Sequence, residues 1–253
     1  MPDTTPAPEN TTAHGETFQF RDRLSQMYAQ SPLNEKDLLF NLGLYIRSSL
    51  LVKFLVLDGL YRRFKSIPGA LVEFGTWWGQ NLVLLENLRA IHEPFNKQRT
   101  IIGFDTFTGY PASAGMEKES TQTHDGYQTG LDYQSYLAEL LEVHEGNNAF
   151  GHIRGNHKLV CGNVEETAPK YFKDHPETIV AFAFFDMGPY EPTVAALRAI
   201  KPHLLPGSIL LFDELTWPGA PGEAIAFKET FKDVNYRIEK CELYPSKSIV
   251  IVQ

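Results

Sequence analysis

The feature that most restricts the fold of this chain is an alternation of strand-like and helix-like segments, repeated five times from residue 69 onward. Short apolar runs such as ALVEFG and TIVAFAFFD each precede a segment with apolar residues at helical spacing, such as NLVLLENLRAIHE. Strands that alternate with helices form a mostly parallel sheet with helices on both faces. The final segment, YRIEKCELYPSKSIVIVQ, has the pattern of an antiparallel hairpin. The sequence therefore predicts an α/β protein with a Rossmann-like sheet that is mostly parallel and ends in an antiparallel pair.

The region before this alternation divides into two parts. Residues 18–68 carry apolar side chains every three or four positions, for example at Leu38 and Leu42, and predict an N-terminal helical extension. Residues 1–17 are rich in Pro, Thr, Asn and Glu, a composition that is typical of a disordered tail. The α/β domain then occupies residues 69–253. Because the extension is long for a linker, we interpret it as a cap or a subunit interface, and we expect a homo-oligomer.

Charge and cysteine content narrow the cellular setting. The net charge is −8 and the pI is near 5.5, so the surface repels phosphate backbones and we expect no nucleic-acid partner. Two cysteines, Cys161 and Cys241, are too few for a disulfide scaffold and fit a reduced setting. The N-terminus has no signal-peptide pattern, and the longest apolar run, IVAFAFF, is too short to span a bilayer. We therefore expect a cytoplasmic protein without membrane contact.

The turn after the first predicted strand, in VEFGTWWGQN, is a candidate cofactor site. In open α/β sheets, ligands bind beyond the carboxyl ends of the strands. Gly75 and Gly79 allow the backbone to approach a ligand closely, but the G-x-G-x-x-G spacing of dinucleotide sites is absent. The acid Glu73, two residues before the first glycine, would repel a pyrophosphate and attract an ammonium group. This turn therefore indicates a cofactor that carries an amino acid.

The next two strand ends complete this interpretation. Asp105, in GFDTF, can accept both hydroxyls of a ribose. Gly162 and Asn163, after the third strand, can reach an adenine edge. Together the three turns suit S-adenosylmethionine, although a helix cap or ion pair at Glu73 and an ordinary turn at Asp105 would be the structural alternatives. The expected cofactor-binding residues are Glu73, Gly75, Thr76, Trp77, Gly79, Asn81, Asp105, Thr106, Gly162, Asn163 and Asp186.

Three carboxylates follow the fourth and fifth predicted strands: Asp186 in FFDMG, and Asp213 with Glu214 in LLFDEL. We expect these strands to be neighbours, which would bring the three acids together. Clustered carboxylates repel one another unless a cation lies between them, and Mg²⁺ prefers such oxygen ligands. The sequence therefore predicts a site for Mg²⁺ or another divalent cation, with a solvated acid pair and a turn residue as the alternatives. A cation would lower the pKa of an acceptor hydroxyl, whose proton Asp186 could accept.

A long polar, glycine-rich stretch, residues 109–134, contains further candidates. A loop of this length in a compact domain is usually functional or disordered. His124 is a candidate for proton transfer, and a solvated bystander is the alternative. Tyr110 in this stretch, together with Tyr190 and Trp217 after the fourth and fifth strands, could stack on a substrate or fill the rim of the site.

Four pieces of the sequence together resemble one known family. They are VEFGTWWGQN, GFDTFTGYP, CGNVEET and the run from FFDMGPYEP to LLFDEL, and they lie between Val72 and Leu215. In this order they resemble the macrocin and mycinamicin sugar O-methyltransferases, a family of class I S-adenosylmethionine-dependent methyltransferases. The resemblance implies a methyltransferase domain at residues 69–253 and methylation of a sugar hydroxyl in antibiotic biosynthesis. It implies one of two acceptors. The first is a nucleotide sugar, specifically a dTDP-deoxysugar that is methylated on the 3-hydroxyl of rhamnose, and the second is a glycosylated natural product.

The resemblance also implies that Asp186, Asp213 and Glu214 are the metal ligands, but with two departures. The family pattern after the fourth strand is Asp-x-Asp-x-Tyr, whereas Gly188 here replaces the second acid. Glu214 stands where a second Asp is common. The identities of the metal and of the general base are therefore open.

Three other functions compete with sugar O-methylation. A catechol or phenol O-methyltransferase would use the same cofactor and a metal. A nicotinamide-dependent oxidoreductase is disfavoured because the dinucleotide spacing is absent. A non-catalytic nucleotide-binding subunit is disfavoured because acids follow both the fourth and the fifth strand.

Overall fold

A computed structural model of the chain describes residues 16–96, 98–110, 127–130, 132–148 and 157–253. These residues form one seven-stranded sheet. The strands are β1 (Ala70–Phe74), β2 (Ile101–Asp105), β3 (His157–Cys161), β4 (Val180–Phe185), β5 (Leu204–Phe212), β6 (Tyr236–Lys240) and β7 (Ser248–Val252). Their order is β3-β2-β1-β4-β5-β7-β6. β1 to β5 pair in parallel and β7 runs antiparallel to both neighbours, so the predicted sheet is confirmed.

Helices alternate with the parallel strands as the sequence predicts. The helices are α1 (Glu16–Ala29), α2 (Glu35–Phe40), α3 (Ser48–Phe64), α4 (Gln80–His92), α5 (Tyr133–Asn148), α6 (Val164–Asp174), α7 (Tyr190–Ile200) and α8 (Gly222–Thr230). One group packs α4 against α5, and a second group packs α6, α7 and α8 side by side. None of the described helices is long and apolar enough to cross a membrane.

A row of phenylalanines lies under the carboxyl ends of four neighbouring strands. Phe74, Phe104, Phe185 and Phe212 are the final or penultimate residues of β1, β2, β4 and β5, and all are buried. Successive rings stack with centroids 4.7–5.1 Å apart. Burial of a phenylalanine stabilises a fold by about 1.5–3 kcal/mol, and each ring pair adds about 0.5–1.5 kcal/mol. The residues that follow these phenylalanines, Gly75, Asp105, Asp186 and Asp213, therefore lie at the strand ends on a firmly packed layer.

The chain divides into two compact units, Met1–Phe54 and Leu55–Gln253. In the first unit, the Tyr45 hydroxyl donates to Ser31 Oγ at 3.0 Å, and the Tyr45 ring meets the edge of Tyr28. The division falls within α3, whereas the sequence analysis places the domain boundary at residues 68 and 69; that boundary stays a prediction. The predicted tail, residues 1–17, lies outside the described residues except where α1 begins.

Candidate active site

The turn between β1 and α4 depends on its two glycines. Gly75 has φ 89° and Gly79 has φ 73°, in the left-handed region that favours glycine. A Cβ atom on Gly75 would collide with the carbonyl oxygen of Asp186, and one on Gly79 would collide with the Leu137 side chain. Thr76, between them, is buried and donates its hydroxyl to the Phe104 carbonyl at 3.4 Å. The tight turn predicted from the sequence is therefore formed, and it lies against the end of β4.

Glu73 is a buried carboxyl with one unsatisfied oxygen. Its Oε1 accepts a hydrogen bond from Asn81 Nδ2 at 2.7 Å, whereas Oε2 has no partner among the described residues. Burial raises the pKa of Glu73 well above its ordinary value of 4.5, and the bond from Asn81 opposes this shift. Because Gly79 occupies the N-cap position of α4, Glu73 does not cap that helix. An ammonium group is a donor that would satisfy Oε2, so this residue fits the amino-acid end of the expected cofactor.

The Asp105 carboxylate accepts hydrogen bonds from two turns whose backbone is strained. Its Oδ2 accepts from the Trp77 N–H at 2.7 Å and its Oδ1 accepts from the Phe107 N–H at 2.6 Å. Trp77 (φ 48°) and Phe107 (φ 58°) are the non-glycine residues with positive φ in the described part of the chain. Burial raises the pKa of Asp105, and these backbone donors oppose the shift. Each carboxylate oxygen has a further lone pair, so Asp105 serves its turn and can still accept a ribose hydroxyl.

The remaining predicted cofactor residues have local hydrogen bonds. Thr106 Oγ1 donates to the Gly109 carbonyl, and the Gly162 N–H donates to the Asp105 carbonyl at 2.9 Å. Asn163 is the N-cap of α6, where its Oδ1 accepts from the Glu165 N–H at 3.1 Å. The structure thus places these residues at the ends of β2 and β3, next to Asp105. Their contacts with adenine and ribose stay predictions.

Lys247 is a buried cation at this site that the sequence analysis missed. Its Nζ forms an ion pair with Asp213 Oδ1 and lies 4.8 Å from the centre of the Phe184 ring. Burial acts to lower the pKa of Lys247, but Asp213 and Asp186 raise it above its ordinary value of 10.5. The pairing follows from the sheet register: Phe212 of β5 faces Ser248 of β7, so their neighbours Asp213 and Lys247 meet at the strand ends.

Two glutamates lie beside this ion pair. Burial, reinforced by the charge of Asp213, raises the pKa of Glu214 to about 7. A Cβ atom on Gly188 would lie 2.9 Å from Glu214 Oε2, so the longer glutamate fills space next to the position where the family pattern has its second acid. Glu223 of α8, also missed by the sequence analysis, is fully buried, and its Oε2 accepts from the Glu214 N–H at 2.9 Å. Burial raises the pKa of Glu223 well above 4.5.

The carboxylates as placed do not fit the predicted metal site. Across the described ranges, no group of three or more His, Cys, Asp or Glu side chains is arranged to hold a metal ion. The predicted strand neighbours do meet, since β4 pairs with β5. However, Asp213 is already paired with the Lys247 ammonium, and Asp186, Asp213 and Glu214 do not converge on one point.

The predicted substrate residues have different surroundings. The Tyr110 hydroxyl donates to the Met187 carbonyl at 2.9 Å, and its ring meets the edge of Tyr127, which in turn meets Trp77. These rings form an aromatic rim between the ends of β2 and β4. Tyr190 instead donates its hydroxyl to Glu229 of α8 at 2.6 Å. Trp217 is 41% exposed. His124 lies outside the described residues.

Comparisons with known proteins agree with this geometry. The model of the macrocin-O-methyltransferase (TylF) family matches residues 62–241. Two solved structures of the calicheamicin methyltransferase CalS11 are similar to the chain. The first is 35% identical with a TM-score of 0.85, and the match covers 95% of this chain and 94% of the solved chain. The second is 34% identical with a TM-score of 0.81, and the match covers 95% of this chain and 96% of the solved chain. The second structure describes CalS11 as a TDP-rhamnose 3'-O-methyltransferase, an enzyme in calicheamicin biosynthesis. The O-methyltransferase NovP, at 17% identity over 79% of both chains and a TM-score of 0.53, shares the fold. No curated protein sequence matches the chain.

Proposed function

The chain belongs to the macrocin-O-methyltransferase family and is an S-adenosylmethionine-dependent O-methyltransferase, and from this premise we propose that it methylates a sugar hydroxyl in natural-product biosynthesis. We propose a dTDP-deoxysugar as the acceptor, with the 3-hydroxyl of rhamnose as the position. The observation that carries this proposal is the similarity to the calicheamicin rhamnose methyltransferase, which extends over nearly all of both chains.

The residues at the ends of β1 and β2 would hold the cofactor. Glu73 Oε2 is a buried acceptor suited to the ammonium group, and the backbone of Gly75 to Gly79 provides close approach for the amino-acid end. Asp105 would accept the ribose hydroxyls through its remaining lone pairs. When bound, S-adenosylmethionine supplies an electrophilic methyl group. The chain's contribution is then to hold the acceptor hydroxyl in line with that group and to accept its proton.

Two carboxylates are candidates to accept that proton. Asp186 follows β4, and its backbone N–H donates to the Phe74 carbonyl at 2.9 Å, which fixes it beside the cofactor turn. Glu214 is favoured by its environment, because a pKa of about 7 suits a general base near neutral pH. We propose Asp186 as the base, as the sequence predicts, with Glu214 as the alternative. The predicted role of His124 belongs to a segment that the structure does not describe.

The divalent cation remains a separate hypothesis. The pairing of Asp213 with Lys247 argues against the predicted ligand set as it is placed. Treatment with EDTA tests the hypothesis directly. A loss of turnover that Mg²⁺ restores, with unchanged binding of S-adenosylhomocysteine, would support a metal at Asp186, Asp213 and Glu214. Full turnover in EDTA would dismiss it.

Transfer of a labelled methyl group tests the acceptor. We expect the enzyme to methylate dTDP-rhamnose, to leave catechol unmethylated and to place the label on the 3-oxygen by NMR. Methylation of catechol alone would support the phenol alternative, and methylation of a rhamnosylated natural product but not of dTDP-rhamnose would place the reaction after glycosyl transfer.

A further inference from the structure

The buried position of Lys247 requires a physical reason. The residue is 6% exposed, and removing an ammonium group from water costs several kcal/mol unless an opposite charge compensates it. Asp213 supplies that charge through the ion pair, and the ring faces of Phe184 and Tyr244 lie 4.8 and 5.0 Å from Nζ. Aromatic faces attract cations, so all three of these neighbours of Nζ favour a positive charge.

The same ammonium lies at the strand ends that carry the other candidate ligands. Its partner Asp213 directly follows β5 and precedes Glu214, and Asp186 directly follows the neighbouring strand β4. These acids follow adjacent strands and would repel one another without a cation nearby. The sequence predicts Mg²⁺ as the neutralising charge, whereas the structure places the side chain of Lys247, in the terminal hairpin, next to Asp213.

We propose that Lys247 is a built-in cation of this carboxylate cluster and that it competes with divalent metal ions for Asp213. A metal ion that binds Asp213 Oδ1 must displace the ammonium that now contacts this atom. The displaced ammonium would then lie buried beside a second positive charge. Lys247 therefore weakens divalent-metal binding at the ends of β4 and β5, whatever acceptor the enzyme methylates.

Binding of Mn²⁺ to the full-length protein tests this proposal, with free Mn²⁺ measured by electron paramagnetic resonance. We expect Lys247→Met to bind Mn²⁺ at least tenfold more tightly than the wild-type protein, because the competing charge is gone. Lys240→Met, which removes an exposed lysine from the same hairpin, should leave the Mn²⁺ affinity unchanged. Lys247→Arg, which keeps the charge, should bind Mn²⁺ as weakly as the wild type.

The proposal is overturned if Lys247→Met binds Mn²⁺ no more tightly than the wild type. Because loss of the ammonium leaves buried acids uncompensated, Lys247→Gln provides a second variant that keeps a hydrogen-bond donor for Asp213 and should show the same gain. Adding Asp213→Asn to either variant should abolish the gain, and a gain that survives would place the metal elsewhere and refute competition at Asp213. The assay contains no cofactor and no acceptor, so it is independent of whether the enzyme methylates a sugar.

Discussion

Asp105 combines a structural role with a proposed ligand role, and the two can be separated. Replacement by alanine removes the acceptor for the Trp77 and Phe107 N–H groups and for the ribose. Hydrogen bonds to charged groups are worth about 1.5–3 kcal/mol each, so we expect Asp105→Ala to weaken S-adenosylhomocysteine binding by about 10–100-fold per lost bond. Isothermal titration calorimetry measures this affinity, and the melting temperature, which should also fall, reports the structural role.

The exposed Asp174 provides a matched control, because Asp174→Ala at the end of α6 should leave the affinity unchanged. A folded Asp105→Ala protein with wild-type affinity would refute the assignment of Asp105 to the ribose.

The raised pKa of the buried Glu223 leads us to expect a pH dependence of the protein's stability. Its pKa in the folded protein is raised by burial, and its Oε1 has no hydrogen-bond partner within the described part of the chain. The folded state therefore binds its proton more tightly than the unfolded state. The contribution of Glu223 to stability is fully present below its unfolded pKa of about 4.5 and is lost as the pH rises toward the raised, folded pKa. We expect the melting temperature of the wild type to fall more steeply from pH 5 to pH 8 than that of Glu223→Gln.

The exposed Glu242 is the control for this measurement, since Glu242→Gln should keep the wild-type slope. Parallel slopes for the wild type and Glu223→Gln would show that Glu223 does not carry the titration.

Single residues mark the limit of sequence-based prediction for this site. Gly75, Asp186 and Asp213 were identifiable because each directly follows a strand, and Asp105 because it ends one; parallel strand ends share one edge of the sheet. Lys247 was not identifiable, because its partner depends on the antiparallel register between β5 and β7, where a shift of one residue would turn its side chain to the other face. The position of Glu223 at this site depends in the same way on tertiary structure, namely on how α8 packs.

At the scale of elements, the turn between β1 and α4 predicts a contrast between two glycines. Gly75 and Gly130 both have positive φ, at 89° and 99°, but a Cβ atom on Gly75 meets the Asp186 carbonyl, whereas one on Gly130 meets no atom of the described residues within 4 Å. Overpacking typically costs about 1–3 kcal/mol. We therefore expect Gly75→Ala to lower the free energy of unfolding by about that amount more than Gly130→Ala, as measured by urea denaturation. If both variants lost the same free energy of unfolding, backbone strain alone would explain the need for Gly75, without the close approach of β1 and β4.

Element patterns were predictable to different degrees. The apolar runs ALVEF and VAFAFF predicted buried strands because they lie in the middle of a sheet covered by helices. Asn163 illustrates the limit: the sequence analysis gave it an adenine contact, but the side chain also begins α6 as its N-cap. Capping is a local interaction, so the two roles cannot be distinguished from residue type and position alone.

At the scale of the whole molecule, similarity to the calicheamicin methyltransferase covers 95% of the chain and therefore includes most of the unit Met1–Phe54. The sequence predicts a helical extension at residues 18–68, and α1, α2 and the start of α3 lie in this region; the extension as a separate domain stays a prediction. The methyltransferase sheet explains the cofactor site, but it gives no role to this unit.

The unit Met1–Phe54 exposes apolar side chains that predict self-association. Leu39 and Phe40 of α2 are 71% and 91% exposed, although contiguous apolar surface is rare on monomeric proteins and marks interfaces. Burial of one such side chain is worth about 1.5–3 kcal/mol. We therefore expect light scattering coupled to size-exclusion chromatography to give a mass that is a multiple of 28.6 kDa at micromolar concentration. Phe40→Asp should lower this mass, whereas Lys36→Ala on the same helix should not. A wild-type mass of one chain would refute the subunit interface and leave the extension as a cap.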